Sequence, residues 1–309
     1  MTQQQITIGS RTSRLAMWQT RFIIAQLQQA WPALECQVEP FVTKGDKTLD
    51  QPLPQIGGKG LFTLELEQAL LDGRIHLAVH SLKDLPVEDA AGLTLGAIAG
   101  RADVRDVLVG ASEATLGSLP LEAVVGTSSL RRQAQLLYAR PDLQVRSIRG
   151  NVGTRIRKVQ EGQYDATILA AAGVTRLELD EHISQWLPLE VMLPAPGQGA
   201  LGVQCRADDE ETLRLLAPIH QPAVAACVTA ERSFLYHLGG GCATPVAAYA
   251  TQEEEGLQLT GLVAALSGGK QIHVTGHGDP RAGGDGWELG ERLAQEALAQ
   301  GAGEILANA

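Results

Sequence analysis

Short apolar runs recur along the first two-thirds of the chain, each followed by a segment whose apolar positions fall at helical spacing. "ITIGS" (6–10) alternates as a strand does, and Ser13 stands where an N-cap belongs for a helix running to about Trp31. "CQVEPFV" (36–42) predicts a second strand, and "HLAVHS" (76–81) a third. Between them, "LFTLELEQALLDG" (61–73) sets Leu61, Leu64, Leu66, Ala69 and Leu70 near one helical face, with Gly73 as a stop. Strand, helix and strand in alternation predict a sheet with helices on both faces. The polar stretch 43–60, rich in proline and glycine, is too long for a routine connection and reads as a lid.

The rhythm restarts after Arg101. "DVLVG", "AVVGT", "VRSIR" and "ATILAAAG" predict strands, with helices from about Ser129 to Tyr138 and from about Val152 to Gln160. Pro188, Pro194 and Pro196 interrupt the pattern before "ALGVQC", a strand expected to return to the first sheet. From about Pro222 the style changes to one helix, three strand-like segments ("PVAAYA", "LQLTGLVAAL", "QIHVTGHG") and a closing helix from about Trp287. The expected fold is α/β: two similar lobes joined by a crossing pair of linkers, plus a smaller C-terminal α+β domain. The expected boundaries are 1–99 with 200–217, 100–199, and 218–309.

Composition narrows the chemistry. The four cysteines (Cys36, Cys205, Cys227, Cys242) are widely spaced with no C-x-x-C pair, which argues against a zinc site and a disulfide framework. The N-terminus has no basic segment followed by an apolar one, and no apolar run reaches membrane-spanning length; a soluble cytoplasmic protein is expected. Net charge is −10, yet Thr127 to Lys158 carries eight basic residues against the single acid Asp142. A basic island in an acidic chain of 4% aromatics predicts a focused anion site and not a nucleic-acid surface.

Two stretches join cations to helix starts. In "GTSSLRRQAQL", Thr127, Ser128 and Ser129 precede a helix whose first turn carries Arg131 and Arg132. In "RSIRGNVGTRIRK", Arg149 ends a strand, Gly150-Asn151 turns, and Arg155 lies in the next helix. Cations there oppose the helix dipole, so the pattern fits an anionic ligand better than it fits folding. "HSLKDLP" (80–86) has two readings: a solvated turn with a surface ion pair, or Ser81, Lys83 and Asp84 at the carboxyl end of a strand, where open α/β sheets bind ligands. Gly197-Gln198-Gly199-Ala200-Leu201-Gly202 fits G-x-G-x-x-G, but prolines precede it and a strand follows, so the dinucleotide reading is rejected. "GGKG" (57–60) lacks the spacing and hydroxyl of a P-loop. His76 and His80 share one side of a strand without a third ligand nearby, and no metal is expected. In "LGGGCATPV" (238–246), a helix ending on glycine accounts for one of the three glycines that strip the approach to Cys242.

Eight stretches in order, "SRTSRLAMWQ", "VTKGD", "GGKGLFTLELE", "HSLKDLP", "GTSSLRRQAQL", "RGNVGTR", "LPAPGQGALG" and "AERSFLYHLGGGCATPV", resemble the porphobilinogen deaminase family over essentially the whole chain. Thr12 and Thr244 are minor departures. The resemblance implies an enzyme that joins four porphobilinogens head to tail into hydroxymethylbilane, releasing ammonia, on a dipyrromethane primer held as a thioether on Cys242. It implies Asp84 as the catalytic acid. It implies Arg11, Ser13, Lys83, Ser129, Arg131, Arg132, Arg149, Arg155 and Arg176 as contacts to acetate and propionate groups, with Lys59 on the lid a further one and Phe62 against a pyrrole ring. Ser81, Thr127, Ser128, Gly150 and Gln198 complete the expected binding set. No metal, nucleic acid or membrane is implied, and a monomer is expected. A small-anion-binding protein of periplasmic-binding-protein architecture shares the two-lobe pattern; such proteins are typically exported and need no bare cysteine.

Overall fold

The computed structural model describes residues 5–43, 45, 63–111, 113–241, 244–254, 256–278 and 286–309. Lys59, Phe62, Cys242 and nearly all of the expected lid lie outside them. The described residues divide into two compact units, one drawn from the segments up to residue 102 together with 199–225, the other mainly from 103–198 and 226–309.

The chain opens with β1 (Gln5–Arg11), α1 (Arg14–Ala30), β2 (Glu35–Phe41), α2 (Leu64–Leu71), β3 (Leu77–Ser81) and β4 (Leu93–Arg101). It then builds β5 (Asp106–Gly110), β6 (Val124–Gly126), α3 (Leu130–Ala139), β7 (Gln144–Arg146), α4 (Val152–Gln160), β8 (Ala166–Ala170), α5 (Ala171–Thr175) and β9 (Gln185–Trp186). β10 (Ala200–Arg206) re-enters the first sheet between β3 and β4, antiparallel to both. After α6 (Glu210–Leu216) and α7 (Pro222–His237) come β11 (Val246–Glu253), β12 (Gly256–Ala264), β13 (Gln271–Gly278), α8 (Trp287–Ala299) and α9 (Ala302–Ala307).

The strand orders are β2-β1-β3-β10-β4 and β7-β6-β8-β5-β9, with β11-β12-β13 forming a third, antiparallel sheet. The first two orders are the same topology: three parallel strands in the spatial order second, first, third, then an antiparallel strand, then an edge strand. Where the chain leaves and re-enters the first unit, Ala102 N–H donates to the Gly199 carbonyl at 3.1 Å.

Strands buried on both faces read as continuous apolar runs because alternate side chains serve two cores. In the first sheet, Ile6, Ile8, Leu77 and Val79 pack with Ile23 and Leu27 of α1, while Ala78 faces Leu66, Ala69 and Leu70 of α2. In the second, Leu108, Val125 and Ile168 meet Leu136 of α3, and Val107, Val109 and Leu169 meet Ile156 of α4. Phe234 of α7 lies on Gly261 of β12, where a Cβ would approach its ring to 2.4 Å, so only glycine admits the phenyl there. β7 is shorter than the expected "VRSIR" strand. Its ladder gives way beyond Arg146, where the Ser128 hydroxyl donates to the Ile148 carbonyl at 2.8 Å.

Candidate active site

In the first unit β1 and β3 are parallel, so their carboxyl ends open at one edge of the sheet. Arg11 ends β1, and Ser13 caps α1, its Oγ accepting from Ala16 N–H at 3.2 Å. Ser81 ends β3, and a 3-10 turn, Leu82–Asp84, follows. Leu82 anchors that turn in the core, leaving Lys83 half-buried and Asp84 exposed. Ser81 Oγ accepts from Nε2 of Gln19 at 2.8 Å, and Gln19 is buried on the core-facing side of α1. Beneath them His80 is buried; desolvation lowers its ring to about 4, with contact to Gln204 opposing and the Arg11 charge adding. His80 is therefore neutral at pH 7. His76 accepts at Nδ1 from Thr7 N–H at 2.9 Å, so its ring joins β3 to β1.

In the second unit β6 is parallel to β7 and β8, which brings three further carboxyl ends to one edge. Thr127, Ser128 and Ser129 follow β6. Ser129 caps α3, its Oγ accepting from Arg132 N–H at 3.4 Å, and Thr127 Oγ1 accepts from Ser129 N–H at 3.2 Å. Arg149 and Gly150 follow β7; Gly150 takes φ +115°, and Asn151 caps α4 by accepting from Thr154 N–H at 2.9 Å. Nε of Arg155 donates to the Gly150 carbonyl at 2.8 Å, tying the turn to the helix behind it. Arg176 follows α5 at the end of β8. Burial lowers the guanidinium of Arg149, and lowers that of Arg176 to about 10. Both are cations that an arriving anion would stabilise.

Arg131 and Arg132 depart from the sequence expectation. Their Nη2 groups each reach one oxygen of Asp106 at 2.8 Å, and their Nη1 groups donate to the carbonyls of Leu193 (2.6 Å) and Ile168 (2.9 Å). Asp106, the first residue of β5, is fully buried and must be paired on both oxygens, which draws both guanidiniums inward. Two guanidiniums against one carboxylate still leave one positive charge in excess. The buried Nε–H of each arginine has no hydrogen-bond partner. That excess charge suits a carboxylate ligand. Desolvation lowers Arg131, and Asp106 offsets part of the effect.

Two other expected contacts are also turned to the fold. Nε2 of Gln198 donates to the Val104 carbonyl at 2.7 Å and to Asp106 at 2.9 Å, joining the outgoing and returning passages of the chain. Gly197 and Gly199 on either side take φ +74° and +85°, which is what the G-x-G pattern serves here. Ser128 gives its proton to Ile148 and is paired with Ser147 Oγ at 2.8 Å, so it has none to donate elsewhere.

Sequence reasoning missed Gln19, Asp106 and Glu231. A signal existed for Gln19, the one long polar side chain on an α1 face otherwise made of Ala16, Thr20, Ile23 and Leu27. None existed for Asp106, whose partners lie 25 and 26 residues away. Glu231, buried in α7, accepts from Gly197 N–H at 2.7 Å and Ala250 N–H at 2.8 Å, and so ties β11 to the glycine turn. Among the described residues, no group of histidine, cysteine and acidic side chains could hold a metal ion, and no helix is long and apolar enough to cross a membrane.

Residues 6–214 match the family model described as "Porphobilinogen deaminase, dipyromethane cofactor binding domain", and residues 225–299 match "Porphobilinogen deaminase, C-terminal domain". The chain is 50% identical over 302 residues to the porphobilinogen deaminase of Moorella thermoacetica, covering 98% of this chain and 96% of that one. It is 50% identical over 307 residues to that of Syntrophotalea carbinolica, covering 99% and 96%. It is 49% identical over 302 residues to that of Brevibacillus brevis, covering 97% and 96%. Among solved structures, a periplasmic substrate-binding protein of an ABC transporter from Coxiella burnetii matches with TM-score 0.45 at 14% identity, covering 71% of this chain and 93% of that one.

Proposed function

We propose that this chain, which belongs to the porphobilinogen deaminase family, performs the family's reaction with Asp84 as its catalytic carboxylate and Cys242 as the attachment point of its primer. Members of the family are transferases of tetrapyrrole biosynthesis that join porphobilinogen units head to tail, release ammonia and carry a dipyrromethane cofactor. The observation that carries the site assignment is the shared carboxyl edge of β1 and β3, with the exposed Asp84 flanked by Ser81 and Lys83.

Loss of ammonia from the substrate's aminomethyl group leaves an electron-poor, cationic azafulvene. An ionised carboxylate stabilises that charge, accepts the pyrrole N–H and exchanges a proton at the reacting carbon. Arg11, Ser13, Ser81 and Lys83 hold carboxylates in the first unit. In the second, Thr127, Ser129, Arg149, Gly150, Arg155 and Arg176 hold them, and Arg131 and Arg132 contribute their excess positive charge. Lys59 is a further contact, and Phe62 packs on a ring. A dipyrromethane suits the second set, because its carboxylates match the excess positive charge of the two arginines around Asp106. When bound, it supplies the free pyrrole carbon at which the chain lengthens. We read the chain as three domains (1–99 with 200–217, 100–199, 218–309), working as a monomer in the cytoplasm.

Intact-mass measurement tests the anchor: an adduct of two pyrrole units that disappears in Cys242→Ser is expected, and an unmodified, fully active protein would overturn it. Asp84→Asn is expected to keep the adduct and lose nearly all turnover. Undiminished turnover would place the acid elsewhere.

A further inference from the structure

Three serines of the expected binding set, two in the first unit and one in the second, share one arrangement. Ser13 Oγ accepts from Ala16 N–H, Ser129 Oγ accepts from Arg132 N–H, and Ser81 Oγ accepts from Gln19 Nε2 at 2.8 Å. A hydroxyl has one proton and two lone pairs. When an N–H donor occupies a lone pair, the proton is left to point outward, toward an anion. The first two serines obtain that donor from the helix they cap. Ser81 ends a strand and caps no α-helix, and its donor is a side chain instead.

We propose that Gln19 is a positioning residue that fixes Ser81 as a hydrogen-bond donor to a carboxylate of porphobilinogen. Gln19 is only 3% exposed, so its amide is held by packing within α1 rather than by solvent. An amide can donate and accept, but an ionised carboxylate in its place could only accept, and would draw the Ser81 proton back into the protein. The substrate carboxylate would then meet a lone pair. The inference rests on the reading that Ser81 contacts a substrate carboxylate, and the test separates the two.

The test uses the primer-loaded enzyme, checked by intact mass, with steady-state kinetics and with calorimetric binding of an unreactive pyrrole bearing acetate and propionate but no aminomethyl group. Gln19→Met keeps volume and removes the donor. A rise of roughly fivefold to tenfold in KM and in the analogue's Kd is expected, with kcat within about twofold. Ser81→Ala is expected to weaken binding similarly, and the double variant no further than Ser81→Ala alone. Gln19→Glu supplies a readout that altered packing would not imitate. Burial raises that carboxyl's titration point; below it the O–H still donates, above it the carboxylate only accepts. The ratio of its KM to the parent's should therefore start near one at acid pH and climb past about tenfold as pH rises.

If Ser81→Ala weakens binding and Gln19→Met does not, the inference is overturned and the Ser81 contact stands. A Gln19→Glu ratio flat with pH, or additive effects in the double variant, also overturns it. If Ser81→Ala leaves KM and Kd unchanged, the contact itself is wrong and the inference goes with it.

Discussion

Asp106 has the most exacting environment of any carboxylate described above: fully buried, with both oxygens engaged by arginines. Asp106→Asn would leave two buried guanidiniums facing a neutral amide. It is expected to cost about 3–5 kcal/mol, read as a lower urea midpoint at unchanged slope. His80 makes the opposite demand. Its folded-state value of about 4 lies below the ordinary 6.5, so as pH falls the unfolded chain takes up the proton first. The stability it contributes is complete above about pH 6.5 and is lost as pH falls to about 4, to the extent of about 3 kcal/mol. A His80→Asn variant should show a correspondingly shallower decline over that interval in melts against pH. At this scale the sequence announced the cations and concealed their partner. Arg131 and Arg132 are conspicuous because they oppose a helix dipole, whereas Asp106 stands at the start of an apolar strand where spacing carries no information about residues 25 positions on.

Caps and glycines decide the elements. Asn151 and Gly150 made the start of α4 readable, and the helix occupies Val152–Gln160 as expected. A Cβ on Gly150 would lie 2.7 Å from Thr154 Cγ2, at a φ that disfavours side chains. Gly150→Ala is therefore expected to lose about 1–3 kcal/mol in thermal or urea melts and to raise KM, since the same turn carries Arg149 and receives Arg155. The ends of β7 were less legible. Its C-terminal end falls where a side-chain hydroxyl, Ser128, takes the Ile148 carbonyl in place of a ladder bond, and hydrophobic alternation does not record that. The turn at "HSLKDLP" was undecided by pattern alone, because an exposed Lys-Asp pair reads the same on a surface and at a sheet edge. The pairing of β1 with β3 is what assigns it an edge.

At the level of the molecule, the two α/β lobes and the three strands of the C-terminal sheet were legible in the apolar runs, whereas the strand order, the edge strand β4 and the two-residue β9 were not, because pairing partners and so short a strand leave no periodic trace. What periodicity did not carry was the joining of the passages at Gly197–Gly199, which depends on positive φ at two glycines and on the amide of Gln198. The uneven charge gives a further expectation. A net charge of −10 repels a dicarboxylate substrate at long range, while the basic island attracts it at short range. Added salt screens both. The short-range attraction is the stronger of the two, so KM is expected to rise with ionic strength while kcat changes little, as steady-state assays across a salt series would show.

Strand β10 has a consequence for how the protein is made. It sits between β3 and β4, yet it is synthesised about a hundred residues after them. Until it emerges from the ribosome, the first sheet has a missing rung and two unmatched edges, while every strand of the second sheet is already available. The lobe that begins the chain is therefore the later of the two to close. A nascent chain held with residues up to 199 outside the ribosome and β10 still inside should carry a complete second sheet and an open first one, whose edges depend on chaperones for protection.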